Sequence, residues 1–337
     1  MLLISLTGTL LVWKEDYLRL TLPEARVAFT PTPAALAQIG VRAEAAFASE
    51  DILNIAFPTS ALPLAKVTMY PDKYAYLDSQ GEIIDVWQGN GRPEEWLYDL
   101  HHRLLLEDTG LLIVGFGAMA MVILLLAGML AWWPMRRGFR LGFVPRSTER
   151  AQLRKSHRNL GIVLALPFLL TLVSGITLVF PQDVEELLLE DIRTTQEYSD
   201  QMVEQLDGIT GAGSGDWLPA LERSLAVFPG AAIRSAQVPS DFSYYRIIGL
   251  QQTDEWSPLG MSRVYIDSEA GYMDIRIDNQ ALPTIERAYN ALYPLHTGRM
   301  ETLWYKLFLS LSGLGVATLS VLGLISFVQR FVAQAPA

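Results

Sequence analysis

Three long apolar runs constrain the fold of this chain more than any other feature. They cover residues 111–133, 160–180 and 303–332, and each reaches the roughly 20 helical residues that cross a bilayer core of about 30 Å. A fourth run, residues 1–13, is apolar but spans only about 20 Å at a rise of about 1.5 Å per residue. It lacks the basic start and the small-residue cleavage site of a signal peptide. The pattern predicts a multi-pass membrane protein whose first helix is truncated, with its beginning absent.

Charge separates the loops between these runs. Residues 134–158 hold eight Lys or Arg and one acid, Glu149, whereas residues 14–100 hold seven basic and thirteen acidic residues and residues 181–302 hold eight and twenty. Because short cytoplasmic loops are enriched in Lys and Arg, the first segment is expected inside the cytoplasm. The two long acidic segments are then expected outside it.

Composition excludes several classes of function. The net charge of −10 argues against a nucleic-acid partner. The absence of cysteine rules out disulfides, thiolate metal sites and covalent c-type haem attachment, so any haem would be held by ligation and packing alone. The sequence contains no catalytic triad, Walker loop, zinc motif or dinucleotide fingerprint. No ionisable residue lies in the middle of an apolar run, which disfavours a coupled transporter.

The two halves of the chain resemble each other. SLTGTLLVW at 5–13 matches LVSGITLVF at 172–180, and YLDSQGEIIDV at 76–86 matches YIDSEAGYMDI at 265–275. His101 lies 27 residues before Gly128, and His296 lies 27 residues before Gly323. Both halves enter the membrane from the same side, so the pattern predicts a parallel internal repeat.

The repeat also predicts a missing histidine. His157 precedes Gly175 by 18 residues, and the corresponding position before Gly8 falls eleven residues before Met1. We therefore expect the complete protein to start earlier and to carry a fourth interfacial histidine there.

The predicted fold class is a four-helix transmembrane bundle, its first helix truncated, with two small α+β domains outside the cytoplasm. The first domain shows helical spacing over 33–48 and strand-like runs at 52–57, 64–70, 74–78 and 83–87. The second shows a helix over 217–228 and strands at 233–238, 244–250, 263–267 and 272–277, with hairpin turns at 78–81 and 267–271. A Gly-rich loop at 208–215 has no preceding strand and no following Lys, so it is not phosphate-binding.

The segment boundaries follow from these elements. They are residues 1–13 (truncated helix), 14–100 (first α+β domain), 101–133 (histidine-bearing segment and helix), 134–158 (basic loop), 159–180 (helix), 181–295 (second α+β domain), 296–332 (histidine-bearing segment and helix) and 333–337 (cytoplasmic tail).

Three of the four histidines, His101, His157 and His296, lie where an apolar helix meets its polar flank. Imidazole is a common axial ligand of haem iron, and two histidines at matching depth could hold one haem. The topology puts His101 and His296 at the outer face, and His157 at the inner face with the missing histidine. His102 points about 100° away from His101 on a helix; whether it substitutes for His101 stays open.

Neighbouring residues extend this hypothesis. Arg103 and Arg158 follow the histidines closely and could pair with haem propionates through charge-assisted bonds. Several glycines could admit a flat macrocycle or simply pack helices together; they are Gly115, Gly128, Gly161, Gly175 and Gly323. A lone interfacial histidine can equally be a capping or snorkelling residue.

These residues resemble the PepSY-associated transmembrane helix family, also called iron-regulated membrane proteins, over nearly the whole chain. The motifs that carry the resemblance are Leu100–His101, Ser156-His157-Arg158 with Gly161, Leu295–His296 with Gly298, and the helix ends Thr7–Gly8 and Ser174–Gly175. Members are bacterial inner-membrane proteins linked to iron and siderophore uptake, and some are haem-containing ferric-siderophore reductases. The missing first half-helix departs from the family pattern.

The resemblance implies PepSY-like periplasmic domains and an electron conduit in the inner membrane that reduces a ferric-siderophore or a related acceptor. It implies haem b, up to two in a full-length protein, with His101, His296 and His157 as ligands and the lipid bilayer as surroundings. The electron donor is not named by the sequence. The alternative is a non-redox membrane scaffold that binds or inhibits a periplasmic partner such as a peptidase.

Overall fold

The computed structural model of the protein describes residues 1–140, 142–194, 215–240, 244–267, 273–299 and 302–332. The chain forms two compact units. The membrane unit contains Met1–Trp13, Trp96–Gln182 and Leu295–Ala337, and the sheet unit contains Lys14–Glu95 and Asp183–Pro294. Three predicted features lie outside the described residues: the tail at 333–337, the turn at 268–271 and the loop at 208–214.

The described strands come in two groups of four, with helices before, between and after them. In chain order they are α1 (Leu2–Leu11), α2 (Lys14–Thr21), α3 (Pro33–Ala46), β1 (Ile52–Ala56), β2 (Ala65–Met69), β3 (Lys73–Leu77), β4 (Ile83–Gln88), α4 (Pro93–Arg103), α5 (Glu107–Trp132), α6 (Arg150–Val179), α7 (Pro181–Arg193), α8 (Trp217–Val227), β5 (Ala232–Gln237), β6 (Tyr245–Gln251), β7 (Ser262–Asp267), β8 (Met273–Ile277), α9 (Thr284–Thr297) and α10 (Leu303–Val332). Short 3-10 helices cover Pro23–Arg26 and Trp133–Gly138.

Three helices of the membrane unit are long and apolar enough to cross a bilayer. Among the described residues they cover Glu107–Gly138, Arg150–Val179 and Leu303–Arg330, which include nearly all of the three apolar runs of the sequence. Helix α1 is apolar but has only ten residues. Helix α6 packs against α5 and α10, and α10 packs against α1.

Helix α10 approaches its two neighbours closely because glycine faces each of them. A Cβ on Gly313 would overlap Thr9 Oγ1 of α1, and a Cβ on Gly315 would overlap the Leu164 side chain of α6. Small residues at such contacts let helices in lipid come close enough for dense packing. Dispersion between helix surfaces therefore holds the membrane unit together.

The sheet unit differs from the two separate α+β domains expected from the sequence. Its strands form one eight-stranded sheet in the order β4-β3-β2-β1-β5-β6-β7-β8, with antiparallel pairing throughout. The two halves join where β1 pairs β5, with Ile55 opposite Ala236 and Ala56 opposite Ser235. This pairing satisfies the backbone groups that two separate sheets would leave at exposed edges.

One face of this sheet packs against α3 and α8 around a single core. Fully buried residues from both halves take part, among them Leu36, Ile39, Ile55, Val67, Leu221, Ile248, Leu250 and Ile266. Helix α3 begins as its sequence suggests: Pro33 occupies the first turn, and Thr32 Oγ1 accepts a hydrogen bond of 3.3 Å from Ala35 N.

The other face is covered in the first half of the sheet. Leu18 of α2 packs there with Leu64, Tyr76 and Trp87. Nearby, Lys14 and Lys66 each place an ammonium nitrogen 2.8 Å from Glu95 Oε1, which is largely buried. Burial alone would raise the pKa of Glu95, but the two lysines outweigh it and hold that pKa below its usual value.

Candidate functional site

Within the membrane unit, the rings of His101 of α4 and His296 of α9 lie next to each other. Their ring centroids are 6.3 Å apart, and their planes are inclined by 48°. Both rings are partly buried. The sequence singled out these two residues as a pair, and the structure brings them together.

The ring of His101 rests on helix α1. Its Nδ1 lies 3.0 Å from the carbonyl oxygen of Ile4 and 3.0 Å from Thr7 Oγ1. A carbonyl oxygen only accepts hydrogen bonds, so Nδ1 carries the proton and donates it. The Thr7 hydroxyl lies 2.9 Å from Leu3 O, to which it can donate while accepting from the imidazole. A Cβ on Gly8 would lie 2.8 Å from His101 Cε1, so only glycine leaves room for the ring.

The ring of His296 rests on helix α6 in the same way. Its Nδ1 lies 3.0 Å from Ser174 Oγ, and the ring also hydrogen-bonds the backbone of Thr171. The Ser174 hydroxyl is 2.8 Å from Leu170 O, which leaves its lone pairs to accept from the imidazole. A Cβ on Gly175 would lie 3.1 Å from His296 Cε1.

His157 repeats this contact on helix α10. Its Nδ1 is 3.1 Å from Leu319 O, and a Cβ on Gly323 would lie 3.7 Å from its Cε1. For each of the three histidines, the accepting carbonyl precedes the glycine by four residues; the pairs are Ile4 and Gly8, Thr171 and Gly175, and Leu319 and Gly323.

The Nδ1 contacts of the three histidines have the same consequence for the second ring nitrogen, Nε2. Within the described part of the chain, no hydrogen-bond partner engages Nε2 of His101, His157 or His296. An Nδ1–H fixed to a backbone carbonyl, with a lone pair left on Nε2, is the usual arrangement of a metal-bound histidine. Burial also lowers the pKa of His101 and of His296 to about 4 each, outside the three spanning helices, so both rings are neutral at pH 7.

His102 takes a different position from its neighbour. Its ring stacks on Tyr98 at a centroid distance of 5.2 Å, and its buried Nδ1 has no hydrogen-bond partner among the residues described. His101, and not His102, is therefore the residue that the structure places against His296.

The two arginines predicted beside the histidines lie in different surroundings. Arg103 has a buried Nε without a hydrogen-bond partner in the described ranges. The guanidinium of Arg158 lies 3.4 Å from Asn159 Oδ1 and 3.7 Å from Met135 Sδ. Their pairing with haem propionates stays a prediction.

His157 lies in an open groove of about 150 Å³. The groove is lined by Leu153, Arg154, His157, Leu322, Gly323 and Ser326, and the His157 ring is exposed. Asn159, which is fully buried, donates hydrogen bonds of 2.9 Å and 3.2 Å to the carbonyls of Arg140 and Gly142 and so fixes the basic loop beside this groove.

A strained turn connects α4 to α5 directly after His101 and His102. Leu104, Leu105 and Glu107 have φ values of 54°, 59° and 52°, in the left-handed region that L-residues avoid at a cost of about 1–2 kcal/mol each. A Cβ on Gly110 would overlap the carbonyl oxygen of Arg103. Such strain collects at functional sites, and here the turn sets where His101 lies relative to the spanning helix that follows.

The separation of this pair is close to that expected for two imidazoles that share one metal. With a metal–nitrogen bond of about 2 Å and a ring radius of about 1.1 Å, two imidazoles on opposite sides of one metal have centroids about 6 Å apart. The observed separation is 6.3 Å. The described residues contain no group of three or more His, Cys, Asp or Glu that could hold a bare metal ion. A porphyrin supplies four ligands itself, so two histidines complete its iron site.

Sequence reasoning missed the hydroxyl groups of Thr7 and Ser174 and the carbonyls beside them. The signal was present, because Thr7–Gly8 and Ser174–Gly175 occupy the same place in the two halves. Of the predicted glycines, Gly175 and Gly323 lie under histidine rings, and Gly115 lies against Phe180. A Cβ on Gly128 would have no described neighbour within 4 Å.

Comparison with known proteins gives one match. The family model for the PepSY-associated TM region matches residues 1–330. No curated protein matches the chain.

Proposed function

This chain belongs to the family of the PepSY-associated TM region, and we propose that it is a haem-binding electron conduit that reduces a ferric-siderophore or a related acceptor. One observation carries the proposal: the rings of His101 and His296 are 6.3 Å apart, and each is held through Nδ1 so that Nε2 is left for a metal.

His101 and His296 would hold haem b between them at the outer site. When bound, haem supplies a one-electron iron couple whose potential depends on its axial ligands and their hydrogen bonds. The residues of this chain do the rest: the carbonyls of Ile4 and Thr171 fix the ring tautomers, and the hydroxyls of Thr7 and Ser174 hold the ring orientations. Arg103 follows His101 and provides a cation for a propionate.

His157 and Arg158 would form the inner site of the same conduit. His157 presents its ring in the groove beside Gly323, with its Nδ1 fixed on Leu319. Two sites divide the thickness of a bilayer into shorter steps for an electron.

The charge distribution supports an orientation in a bacterial inner membrane. The basic loop at 134–158 would face the cytoplasm, and the acidic segments 14–100 and 181–302 would form periplasmic regions. An acceptor reached from that side would release its iron on reduction, because hard oxygen donors hold Fe³⁺ more tightly than Fe²⁺.

The test is an absorption spectrum of protein purified after expression with a haem supply. The wild type is expected to show a Soret band that shifts on reduction with dithionite. His101→Ala and His296→Ala are each expected to lose at least half of the bound haem, and His102→Ala, which removes the adjacent imidazole, is expected to retain it.

A colourless wild-type protein, or equal loss in His102→Ala, would contradict the proposal. A colourless protein would leave the other candidate, a membrane scaffold that binds a periplasmic partner without redox chemistry.

A further inference from the structure

A second candidate site lies in the sheet unit, on the eight-stranded sheet itself. A groove of about 210 Å³ opens on the face opposite α3 and α8. Its lining includes Asn54 of β1, Ser235 and Gln237 of β5, Gly249 of β6, and Arg263 of β7.

The floor of this groove is a glycine between two longer side chains. Ser235, Gly249 and Arg263 lie opposite one another on three neighbouring strands. A Cβ on Gly249 would overlap Ser235 Oγ, so glycine is required beside this serine. The missing side chain produces the depression, and Arg263 forms one of its walls.

The polar side chains in the lining are unsatisfied by the protein. Within the described part of the chain, none of Asn54, Ser235, Gln237 and Arg263 has a hydrogen bond or an ion pair through its side chain. Other arginines of the same unit are engaged: Arg234 Nε is 2.8 Å from Gln251 Oε1, and Arg193 Nη2 is 2.6 Å from Glu286 Oε1. Asn54, Ser235 and Arg263 are half-buried and Gln237 is exposed, so their polar groups are open to a ligand that enters the groove from solvent.

Charge indicates the class of ligand. Among the residues that the structure describes, Arg263 is the one ionisable side chain lining the groove, in a unit with 14 basic and 31 acidic residues. A guanidinium that no described carboxylate neutralises favours an anion. Guanidinium binds a carboxylate through two parallel hydrogen bonds, and the amide and hydroxyl groups of Asn54, Gln237 and Ser235 can bond to hydroxyl or carbonyl oxygens beside it.

We propose that this groove binds a small carboxylate-bearing molecule, with Arg263 on the carboxylate and Asn54, Ser235 and Gln237 on neighbouring oxygens. The groove is smaller than the roughly 300–1,000 Å³ of sites for drug-sized ligands. It therefore accepts a compact hydroxycarboxylate or one carboxylate arm of a larger molecule. The inference does not depend on haem.

The test is isothermal titration calorimetry on the full chain in detergent, with citrate as the first probe and inorganic phosphate as the second. Citrate is expected to bind the wild type, and phosphate is expected to bind at least tenfold more weakly. Arg263→Gln is expected to weaken citrate binding at least tenfold. Arg223→Gln, which removes one positive charge from α8 on the helix-covered side, is the matched control and is expected to bind as the wild type does.

Several outcomes would overturn the assignment. They are the absence of citrate binding, phosphate binding as tight as citrate binding, or an equal loss in Arg223→Gln. If Arg263→Gln does not fold, Asn54→Ala replaces it and is expected to weaken citrate binding severalfold; unchanged binding in that variant would also contradict the proposal. His296→Ala is expected to bind citrate normally, which separates failure here from failure of the haem proposal.

Discussion

At the scale of single residues, the hydrogen bond on one imidazole nitrogen determines what the other nitrogen can do. His101 donates from Nδ1 to the carbonyl of Ile4, and the ring of His296 hydrogen-bonds the backbone of Thr171. Nδ1 of each ring also contacts a hydroxyl, from Thr7 or Ser174. An acceptor on Nδ1–H makes the ring a stronger donor through Nε2 and favours the oxidised metal. The hydroxyls are therefore expected to adjust the reduction potential, while the carbonyls keep the tautomer.

Thr7→Val and Ser174→Ala test this adjustment. Each variant keeps the carbonyl partner, so haem should stay bound, but the loss of an acceptor should raise the reduction potential. A bond worth about 1 kcal/mol corresponds to a shift on the order of tens of millivolts for one electron. The measurement is a redox titration followed in the visible spectrum. Ser5→Ala on α1, whose hydroxyl bonds Leu2 O at 3.1 Å, is the control, and a shift of the same size there would refute the role of the two hydroxyls.

Charge at Glu95 gives a prediction for acid stability. Its pKa is depressed by Lys14 and Lys66. Its contribution to the free energy of unfolding is therefore fully present above the unfolded pKa of about 4.3. That contribution is lost as the pH falls through the lower pKa of the folded state. Glu95→Gln is expected to destabilise the sheet unit by about 2 kcal/mol at pH 7, as for a charge-assisted hydrogen bond, and by progressively less below pH 4.

Thermal unfolding followed by circular dichroism at several pH values measures this difference. Glu82→Gln removes the partner of Arg42 from an exposed ion pair, in which Glu82 keeps 70% side-chain exposure. That control is expected to change stability by less than about 1 kcal/mol. A loss of stability in Glu95→Gln that stays constant down to pH 3 would contradict the role of the Glu95 charge.

At the scale of helices, the position of each histidine ring depends on the glycine under it more than on the apolar pattern of the helix. Gly8, Gly175 and Gly323 lie under the rings of His101, His296 and His157. The sequence predicted that Gly175 and Gly323 allow close approach, and it left open whether a macrocycle or another helix approaches; Gly8 was not among the glycines predicted for this role. The structure places an imidazole against all three. Periodicity could not reveal this, because it reports which helix face is apolar and not which side chain crosses to it.

Gly8→Ala tests this seating. Its Cβ would lie 2.8 Å from His101 Cε1, so the ring must move, and haem content is expected to fall at least twofold. Haem per protein, measured as the pyridine haemochrome, gives the result. Gly128→Ala makes the same substitution in α5, where no neighbour lies within 4 Å. Equal haem content in Gly8→Ala and the wild type would show that the ring does not need this glycine.

At the scale of the whole molecule, the sequence predicted local elements well and their assembly less well. The apolar runs became spanning helices, and a strand predicted at 52–57 is β1, Ile52–Ala56. The joining of both halves into one sheet was not predicted, because the apolar pattern of a strand such as β1 indicates that it is buried without naming the strand that pairs at its edge. The groove around Gly249 was missed for the same reason: its walls come from strands of both halves.

One sheet with one core predicts shared stability. Ile55 is fully buried in β1 next to β5, and Ile55→Ala is expected to destabilise the unit by about 2–5 kcal/mol. Because the core is common, amide exchange should accelerate in β6 as well as in β2, as measured by hydrogen exchange and mass spectrometry. Leu53→Ala, at a side chain 37% exposed in the same strand, is the control. Unchanged protection in β6 would indicate two independent domains.

The proposed function depends on His101 and His296 sharing one haem iron, and electron paramagnetic resonance of the oxidised protein measures this pairing. We expect a low-spin ferric signal, typical of two imidazole ligands. The signal should become high-spin or disappear in His101→Ala and in His296→Ala, and it should persist in His102→Ala. A wild-type protein without low-spin haem, or a signal unchanged in both variants, would contradict it.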